Sequence, residues 1–306
     1  MSDVHGIVNI NKPSGMTSFQ VVSAVKKILD CSKAGHTGTL DPAATGVLPI
    51  CLGKGTKIIP FIKDELKGYT AEIILGITTD TLDSEGEILS KNEDWQDLTY
   101  EDIKDIVNQY KGIIEQLPPM YSAVHYRGKR LYKLARKGKE VEREPRQVEI
   151  KELDILKVDL PLIRLRVLCT RGTYIRTLAD DIGRELNCGA FLSSLNRTRS
   201  GPFFLKDSIE LDKLKHSRKK SILTIVYPLD YPKFYIKEKY LKKAKNGASL
   251  VPDDFIPEYV DRLMQMKAGK IIMVYYQKLF ISISKIIYDD KNEVKIKPLR
   301  VFNLIV

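Results

Sequence analysis

A single aspartate, Asp41, stands in a tightly specified loop. The segment GHTGTLDPAATG, residues 35–46, surrounds it with glycines and places Pro42 directly after it. Pro42 disfavours helical torsions for Asp41, and the glycines allow a backbone or a ligand to approach closely. No second carboxylate stands beside Asp41 to share acid and base roles, so these residues favour nucleophilic catalysis over hydrolysis by a carboxylate pair. The ordinary alternative is an Asp-Pro turn without chemistry.

Three further residues could serve a nucleophilic aspartate. Arg176, in RGTYIR, could keep Asp41 ionised and oriented, although its ordinary role would be a surface i,i+4 pair with Asp180. Tyr69 and Tyr174 could offer ring faces to an extruded base, or they could be core tyrosines.

The apolar patterns predict the elements that position these residues. Helices are expected after a cap at Thr17 or Ser18, over residues 99–113, and from Ile175 onward. Alternating apolar residues predict strands from Tyr69 to residue 77 and across RLRVLC, residues 164–169. DTLDSEGEIL, residues 80–89, is interpreted as a solvated turn. Together these elements predict a mixed α/β (α+β) domain with a mainly antiparallel sheet.

The composition favours a polyanionic partner. The formal net charge is +11 and the pI is near 9.2, as for many nucleic-acid-binding proteins, although a lysine-rich solvated surface would give the same surplus. Between residues 127 and 146, nine Lys or Arg stand against three Glu. This run is either a solvated helix or an arm that lies along phosphates.

The composition changes near residue 228, at the joint YPLDYPKF, and short β-like runs follow. We therefore expect one domain over residues 1–229 and a small all-β domain over 230–306. Four widely spaced cysteines suggest free thiols of a reducing compartment and make a zinc site improbable. Without a leader or a membrane-length apolar run, we expect a cytoplasmic protein with no membrane partner.

Several blocks resemble the TruB family of bacterial tRNA pseudouridine synthases. They occur in the family's order across about residues 5–230: NKPSGMTS, GHTGTLDPAATGVLPICLG, LPPMYSAV, GKRLYKLARKGKEVERE and CTRGTYIRTLADDIG. The resemblance implies an isomerase that converts uridine 55 of the tRNA T-loop to pseudouridine. It implies a pseudouridine synthase sheet with an inserted RNA-binding arm at about residues 118–146, and a PUA-like RNA-binding domain over the last quarter.

The resemblance also implies roles for particular residues. Asp41 would be the nucleophile on a flipped-out nucleotide, attacking either the base or the ribose, and Arg176 would pair with it. Tyr69 would stack on the base and accept the proton from C5. The other implied substrate-binding residues are Tyr174 in the cleft, Leu195 on its apolar side, His36 filling the space left by the flipped nucleotide, and Lys12, which with Pro13 supports the loop. The arm residues Arg127, Lys129, Arg130 and Lys133 would contact the RNA backbone.

The implied enzyme needs no cofactor, metal or protein partner, binds the tRNA T-arm stem-loop and is expected to be a monomer. The chain departs from the family pattern at Asn11, where Asp is usual, and at Asn196, where the first of two arginines is usual. Two alternatives stay open. One is a non-catalytic tRNA-binding or folding module, and the other is the guide-dependent relative within a ribonucleoprotein, which the arm disfavours.

Overall fold

The computed structural model describes residues 4–63, 66–122, 124–126, 128–135 and 137–306. In chain order its strands are β1 (Gly6–Lys12), β2 (Ala34–His36), β3 (Thr45–Leu52), β4 (Leu66–Leu75), β5 (Ile77–Thr79), β6 (Ile88–Lys91), β7 (Gly112–Gln116), β8 (His125–Tyr126), β9 (Lys129–Arg130), β10 (Arg146–Asp159), β11 (Leu162–Thr170), β12 (Ala190–Ser200), β13 (Phe203–Phe204), β14 (Ile209–Glu210), β15 (Lys233–Tyr235), β16 (Ile271–Tyr276), β17 (Leu279–Tyr288) and β18 (Val294–Ile305).

The α-helices are α1 (Ser18–Ile28), α2 (Tyr100–Gln109), α3 (Leu131–Ala135), α4 (Ile175–Glu185), α5 (Leu211–Ser217), α6 (Leu241–Lys245) and α7 (Val260–Met264). The predicted cap of α1 is Thr17, whose side chain and Gln20 form a capping box. None of the helices in the described residues is long and apolar enough to cross a membrane.

A large mixed sheet carries the main core. Among the described residues it has ten strands, with the order β14-β1-β3-β12-β4-β11-β10-β7, and β13 and β2 pair with β12 and β3 respectively. Its central pairs β12–β4, β4–β11 and β11–β10 are antiparallel, whereas β3–β12 and β1–β14 are parallel. Helices α2 and α4 contribute apolar side chains to the same buried cluster as β4 and β11. The predicted mixed, mainly antiparallel sheet is therefore confirmed.

The predicted helix over residues 99–113 is too long. α2 ends at Gln109, and Gly112, the first residue of β7, adopts a positive φ of 94°. A left-handed glycine ends a helix without steric cost. β7 then pairs with β10, so its residues exchange helical hydrogen bonds for those of the sheet.

The C-terminal region forms a separate four-stranded sheet, β15-β16-β17-β18. Its core contains Phe234, Phe255, Ile272 and Ile281, all fully buried. The sheet confirms the expected PUA-like β structure, and the short helices α6 and α7 accompany it. No apolar periodicity in the sequence indicated these helices, because each has only five residues.

The chain divides into two compact units. One comprises Met1–Ile7, Cys51–Lys63 and Leu223–Val306, and the other comprises Val8–Ile50 and Asp64–Ile222. The second unit contains all the residues of the site described below. The expected domain boundary between residues 229 and 230 stays a prediction.

Candidate active site

The Asp41 loop joins β2 to β3, and its backbone is held from outside. The amide of Gly15 donates to the Pro42 carbonyl at 3.0 Å. The buried Ser18 hydroxyl accepts from the Leu40 amide at 2.9 Å and donates to the Leu40 carbonyl at 3.0 Å. These contacts come from the segment between β1 and α1 and from the first residue of α1. The loop around Asp41 is thus fixed without using the Asp41 carboxylate.

Lys12 also holds the backbone of this loop. Its side chain is fully buried, and Nζ donates to the Pro13 and Pro42 carbonyls at 2.8 and 2.9 Å. Burial lowers the pKa of Lys12 to about 8, while the Asp41 charge acts in the opposite direction. The ammonium therefore supplies two backbone hydrogen bonds and a positive charge close to Asp41.

Arg176, the second residue of α4, contacts four other groups of the site. Its Nε lies 3.3 Å from Asp41 Oδ2, and its Nη1 lies 3.0 Å from Asp83 Oδ2. The guanidinium also donates to the carbonyls of Thr81 at 3.3 Å and Tyr121 at 2.9 Å. Arg176 is buried, so a charge-assisted network of this kind is what offsets the cost of its desolvation.

Two sequence interpretations are wrong here. The alternative i,i+4 pair of Arg176 with Asp180 does not form, because Asp180 pairs with Arg184. The turn at residues 80–89 is not simply solvated, because Asp83 is buried in it. Asp83 binds Arg176, and the two residues are 93 positions apart in the sequence, which no local pattern shows.

The Asp41 carboxylate remains partly exposed, with 41% of its side-chain surface accessible. Desolvation raises the pKa of Asp41 above its usual value, and the Asp83 charge acts in the same direction. The positive charges of Arg176, Lys12 and Arg197 oppose this rise, in that order of size. Asp41, Asp83, Arg176 and Leu195 line one cleft. The arrangement is that of an oriented carboxylate with an open face.

Tyr174 precedes α4 and is fixed by Gln116 of β7. The Gln116 side chain accepts from the Tyr174 amide at 2.9 Å and donates to the Tyr174 carbonyl at 3.2 Å. Because Tyr174 directly precedes α4, this pair of bonds also holds the start of the helix that carries Arg176. A lone glutamine in a strand carries no sequence signal for such a role, and sequence reasoning missed it.

Arg197 of β12 was also missed as a contributor to the site. It is almost completely buried. Its guanidinium donates to the carbonyls of Val47 at 2.8 Å, Thr39 at 3.1 Å and Gly38 at 3.2 Å. These acceptors lie on both sides of Asp41. The sequence signals were the position of Arg197 two residues after Leu195 and its match to the second of the two arginines that the family usually has there.

The remaining predicted site residues are placed as follows. His36 ends β2; burial lowers its pKa, as does the charge of Arg197, so its imidazole is neutral at neutral pH. Its Nδ1 is buried without a hydrogen-bond partner among the described residues. Tyr69 is buried in β4 within the main core and pairs with Arg197 across the strands.

The predicted arm carries the residues expected to bind the RNA backbone. Arg127 and the side chains of Lys129, Arg130 and Lys133 lie outside the described residues. The described backbone between β7 and β10 forms the hairpin β8–β9 followed by α3. Among the described residues, no group of three or more His, Cys, Asp or Glu side chains could hold a metal ion.

Family models and sequence relatives agree on one family. A model described as TruB family pseudouridylate synthase (N terminal domain) matches residues 26–175. A second, described as tRNA pseudouridylate synthase B C-terminal domain, matches residues 176–232. A protein named tRNA pseudouridine synthase B from Clostridium tetani (strain Massachusetts / E88) is 44% identical over 287 residues, covering 92% of this chain and 96% of that relative. The protein of the same name from Syntrophomonas wolfei is 50% identical over 234 residues, covering 75% of this chain and 77% of that relative.

The fold is also similar to those of solved structures. A solved structure described as a Cbf5-Nop10-Gar1 complex has a TM-score of 0.71 at 26% identity, with 97% of this chain and 84% of that chain covered. A structure of an H/ACA RNP bound to a substrate RNA containing 2'-deoxyuridine matches with the same TM-score and 25% identity, over 97% of this chain and 84% of that chain. On the family models and on these relatives, the chain belongs to the TruB family of pseudouridylate synthases.

Proposed function

We propose that this protein isomerises uridine to pseudouridine at position 55 in the T-loop of tRNA, with Asp41 as the nucleophile. The observation that carries this proposal is the contact of Asp41 with Arg176 at 3.3 Å in a cleft that Leu195 also lines. In a member of the TruB family, a fixed loop around a partly exposed carboxylate is the arrangement that nucleophilic attack requires.

The proposed reaction takes place within one nucleotide. A flipped uridine enters the cleft, and the Asp41 carboxylate attacks either its base or its ribose. The N-glycosidic bond breaks, the uracil rotates, and a bond forms between C5 and C1′ of the same nucleotide. The bond between Asp41 and the substrate is broken in the process, C5 loses its proton, and N1 of the uracil gains one. Arg176 keeps the carboxylate oriented throughout, because three other protein groups fix its guanidinium. No group leaves the nucleotide, so the reaction needs no acceptor and no cofactor.

Other residues of the site would bind the base. Tyr69 would stack on the base and accept the C5 proton, Tyr174 would line the cleft, and Leu195 would close its apolar side. His36 would fill the space that the flipped nucleotide leaves. Its neutral imidazole suits this role, since burial disfavours the charged form.

We further propose that the protein acts alone, as a monomer, on the T-arm stem-loop. The arm at about residues 118–146 would lie along RNA phosphates through Arg127, Lys129, Arg130 and Lys133. A PUA-like domain over residues 230–306 would bind RNA outside the T-loop, and residues 1–229 would form the catalytic domain. The net charge of +11 favours such a partner.

Incubation of the purified protein with an unmodified T-arm stem-loop and a chelator tests the activity. Pseudouridine should form under single-turnover conditions, without nucleotide, metal or another protein. A stem-loop with cytidine at the target position is the matched control and should give no product. Binding without product would favour the non-catalytic module, and product only with an added guide RNA would favour the guide-dependent relative.

The arm is tested separately through the salt dependence of binding. Neutralising Arg127, Lys129, Arg130 and Lys133 together should weaken stem-loop binding and flatten the slope of log K against log salt, because fewer counterions are released. The single-turnover rate at saturation should change little. An unchanged slope would mean that the run is only a solvated surface.

A further inference from the structure

Arg197 is a buried charge that the proposed reaction does not itself use. The residue is 1% exposed. Within the described part of the chain, its guanidinium bonds only to backbone carbonyls, those of Gly38, Thr39 and Val47. A buried guanidinium without a carboxylate partner is costly. Its presence here therefore needs a reason beyond filling space.

The three carbonyls define what Arg197 holds. Gly38 and Thr39 lie three and two residues before Asp41, and Val47 lies in β3 after the loop. The planar fork of an arginine presents its N–H donors in a fixed geometry, whereas a lysine has a compact ammonium on a flexible stem. A single side chain thus ties the entry of the Asp41 loop to its exit.

The backbone of Arg197 holds the exit a second time. β12 pairs with β3 in parallel, with Arg197 opposite Gly46. Gly46 has φ +102°, and a Cβ there would lie 2.3 Å from the Arg197 carbonyl oxygen. Only glycine fits this approach. Since Leu195 of the same strand lines the cleft, β12 supplies both a cleft wall and the anchor of the loop.

The charge of Arg197 also acts on the site. It is one of the positive charges that lower the pKa of Asp41, together with Arg176 and Lys12 and against Asp83. No carboxylate among the described residues forms an ion pair with Arg197 to cancel this field. A neutral anchor could satisfy the carbonyls but could not contribute to keeping Asp41 ionised.

We propose that Arg197 is a positioning residue for the reaction, fixing the Asp41 loop against β12 and adding uncompensated positive charge beside the nucleophile. This inference rests on the proposed function of Asp41. Arg197 would not touch the substrate, and it would act only through Asp41.

Two substitutions separate the effect of the guanidinium's shape from the effect of its charge. Arg197→Lys keeps the charge but loses the fork, and the single-turnover rate at saturation should fall about 10- to 100-fold, as misplacement of a reacting group does. Its dissociation constant for the stem-loop should stay within about threefold of wild type, because the anchor lies inside the protein. Arg197→Met should lose more, and the acid limb of its rate profile should move to higher pH.

Arg199→Lys is the matched control. It lies two residues along the same strand, and its guanidinium donates to the Gly201 carbonyl and stacks on Phe204 rather than holding the loop. A core variant, Leu178→Ala, controls for lost stability. If Arg197→Lys loses no more rate than these controls, Arg197 is merely structural and the proposal is overturned. Should Arg197→Met fail to fold, Arg197→Lys alone decides.

Amide hydrogen exchange tests whether Arg197 anchors the loop without measuring activity. In Arg197→Lys, the amides of Thr37, Leu40 and Ala44, which are bonded within or beside the loop, should exchange faster, while core amides of β4 should not. Unchanged loop protection would refute the anchor. An inactive wild type with loop-specific loss of protection in the variant would refute the proposed function and leave the anchor standing.

Discussion

Asp41 and Asp83 contact the same guanidinium from two loops that are built in opposite ways. Asp83 has 10% of its side chain exposed, against 41% for Asp41. The Asp83 carboxylate accepts hydrogen bonds from its own loop, from Thr81 Oγ1 at 2.6 Å and the Glu85 amide at 3.1 Å. In the part of the chain that the structure describes, the Asp41 carboxylate has one ion-pair contact, to Arg176.

The difference lies in what holds each loop. The Asp83 carboxylate itself links two other residues of its own turn, Thr81 and Glu85. The Asp41 loop is closed by groups from elsewhere, namely Lys12, Ser18 and Arg197. A carboxylate engaged by its own loop cannot attack without dismantling that loop. A carboxylate whose loop is held by other residues can react while its position is kept.

The comparison is tested first by Asp41→Asn. The amide keeps the size of the side chain but removes the nucleophile, so single-turnover conversion should fall to an undetectable level. Binding of the stem-loop should persist. Burial raises the pKa of Asp41, so ionisation of Asp41 reduces stability as the pH rises through that raised pKa. The neutral amide lacks this cost, and the free energy of unfolding at pH 7 should be within about 0.5 kcal/mol of wild type or higher.

Chemical analysis of the RNA with enzyme in excess gives the rate, and thermal or urea unfolding gives the stability. Product at a rate near that of wild type would remove Asp41 from the mechanism. A variant that fails to fold would place Asp41 with Asp83, among the residues that hold their own loops.

Asp83→Asn should cost stability, which Asp41→Asn does not. Asp83 Oδ1 accepts from Thr81 and Glu85, so an amide oxygen must stay there, and the new NH2 group would face the Arg176 donor. Two donors would then meet in a buried site. The expected loss is about 2–4 kcal/mol of stability, since a buried pair is broken while Arg176 keeps Asp41.

The single-turnover rate of Asp83→Asn should also fall, by about 10- to 100-fold, because Arg176 loses a fixed partner and Asp41 is misplaced with it. Asp80→Asn is the matched control in the same turn. Asp80 is exposed, and its Oδ1 accepts from the Glu87 amide, which the amide oxygen can still do. Equal effects at both positions would contradict the distinction between the buried and the exposed carboxylate of that turn.

The two loops also differ in how far the sequence predicted them. The glycines and the proline around Asp41 impose local torsions, so the unusual loop was visible in the sequence. Asp83 lies in DTLDSEGEIL, whose charged residues are typical of a solvated turn. Its burial depends on Arg176, a partner distant in sequence, and only the assembled sheet brings the two together.

The same distinction between local patterns and distant contacts explains which other predictions were correct and which were wrong. Helices α1 and α4 and the inward faces of β4 and β11 follow from local periodicity, and they were predicted correctly. The end of α2 at Gln109 depends on pairing of β7 with β10, and the roles of Gln116 and Arg197 depend on carbonyls and amides that carry no side-chain signal. Local rules thus predict elements, whereas the anchors of the site come from tertiary contacts.

The smallest expected effect concerns pH. The rate requires ionised Asp41, and its raised pKa means that activity should decline on acidification at a higher pH than for an ordinary aspartate, which titrates near about 3.9. Asp83 contributes to that rise. Asp83→Asn should therefore move the acid limb of the single-turnover rate to lower pH, although its maximal rate is reduced. Asp80→Asn removes a charge of the same sign from the same turn and should leave the limb in place.

Rates measured at saturating enzyme across the acid range decide the matter. A limb that moves equally in both variants would mean that a general change of charge sets it, whereas a limb that moves only in Asp83→Asn would show that the buried aspartate tunes the exposed one.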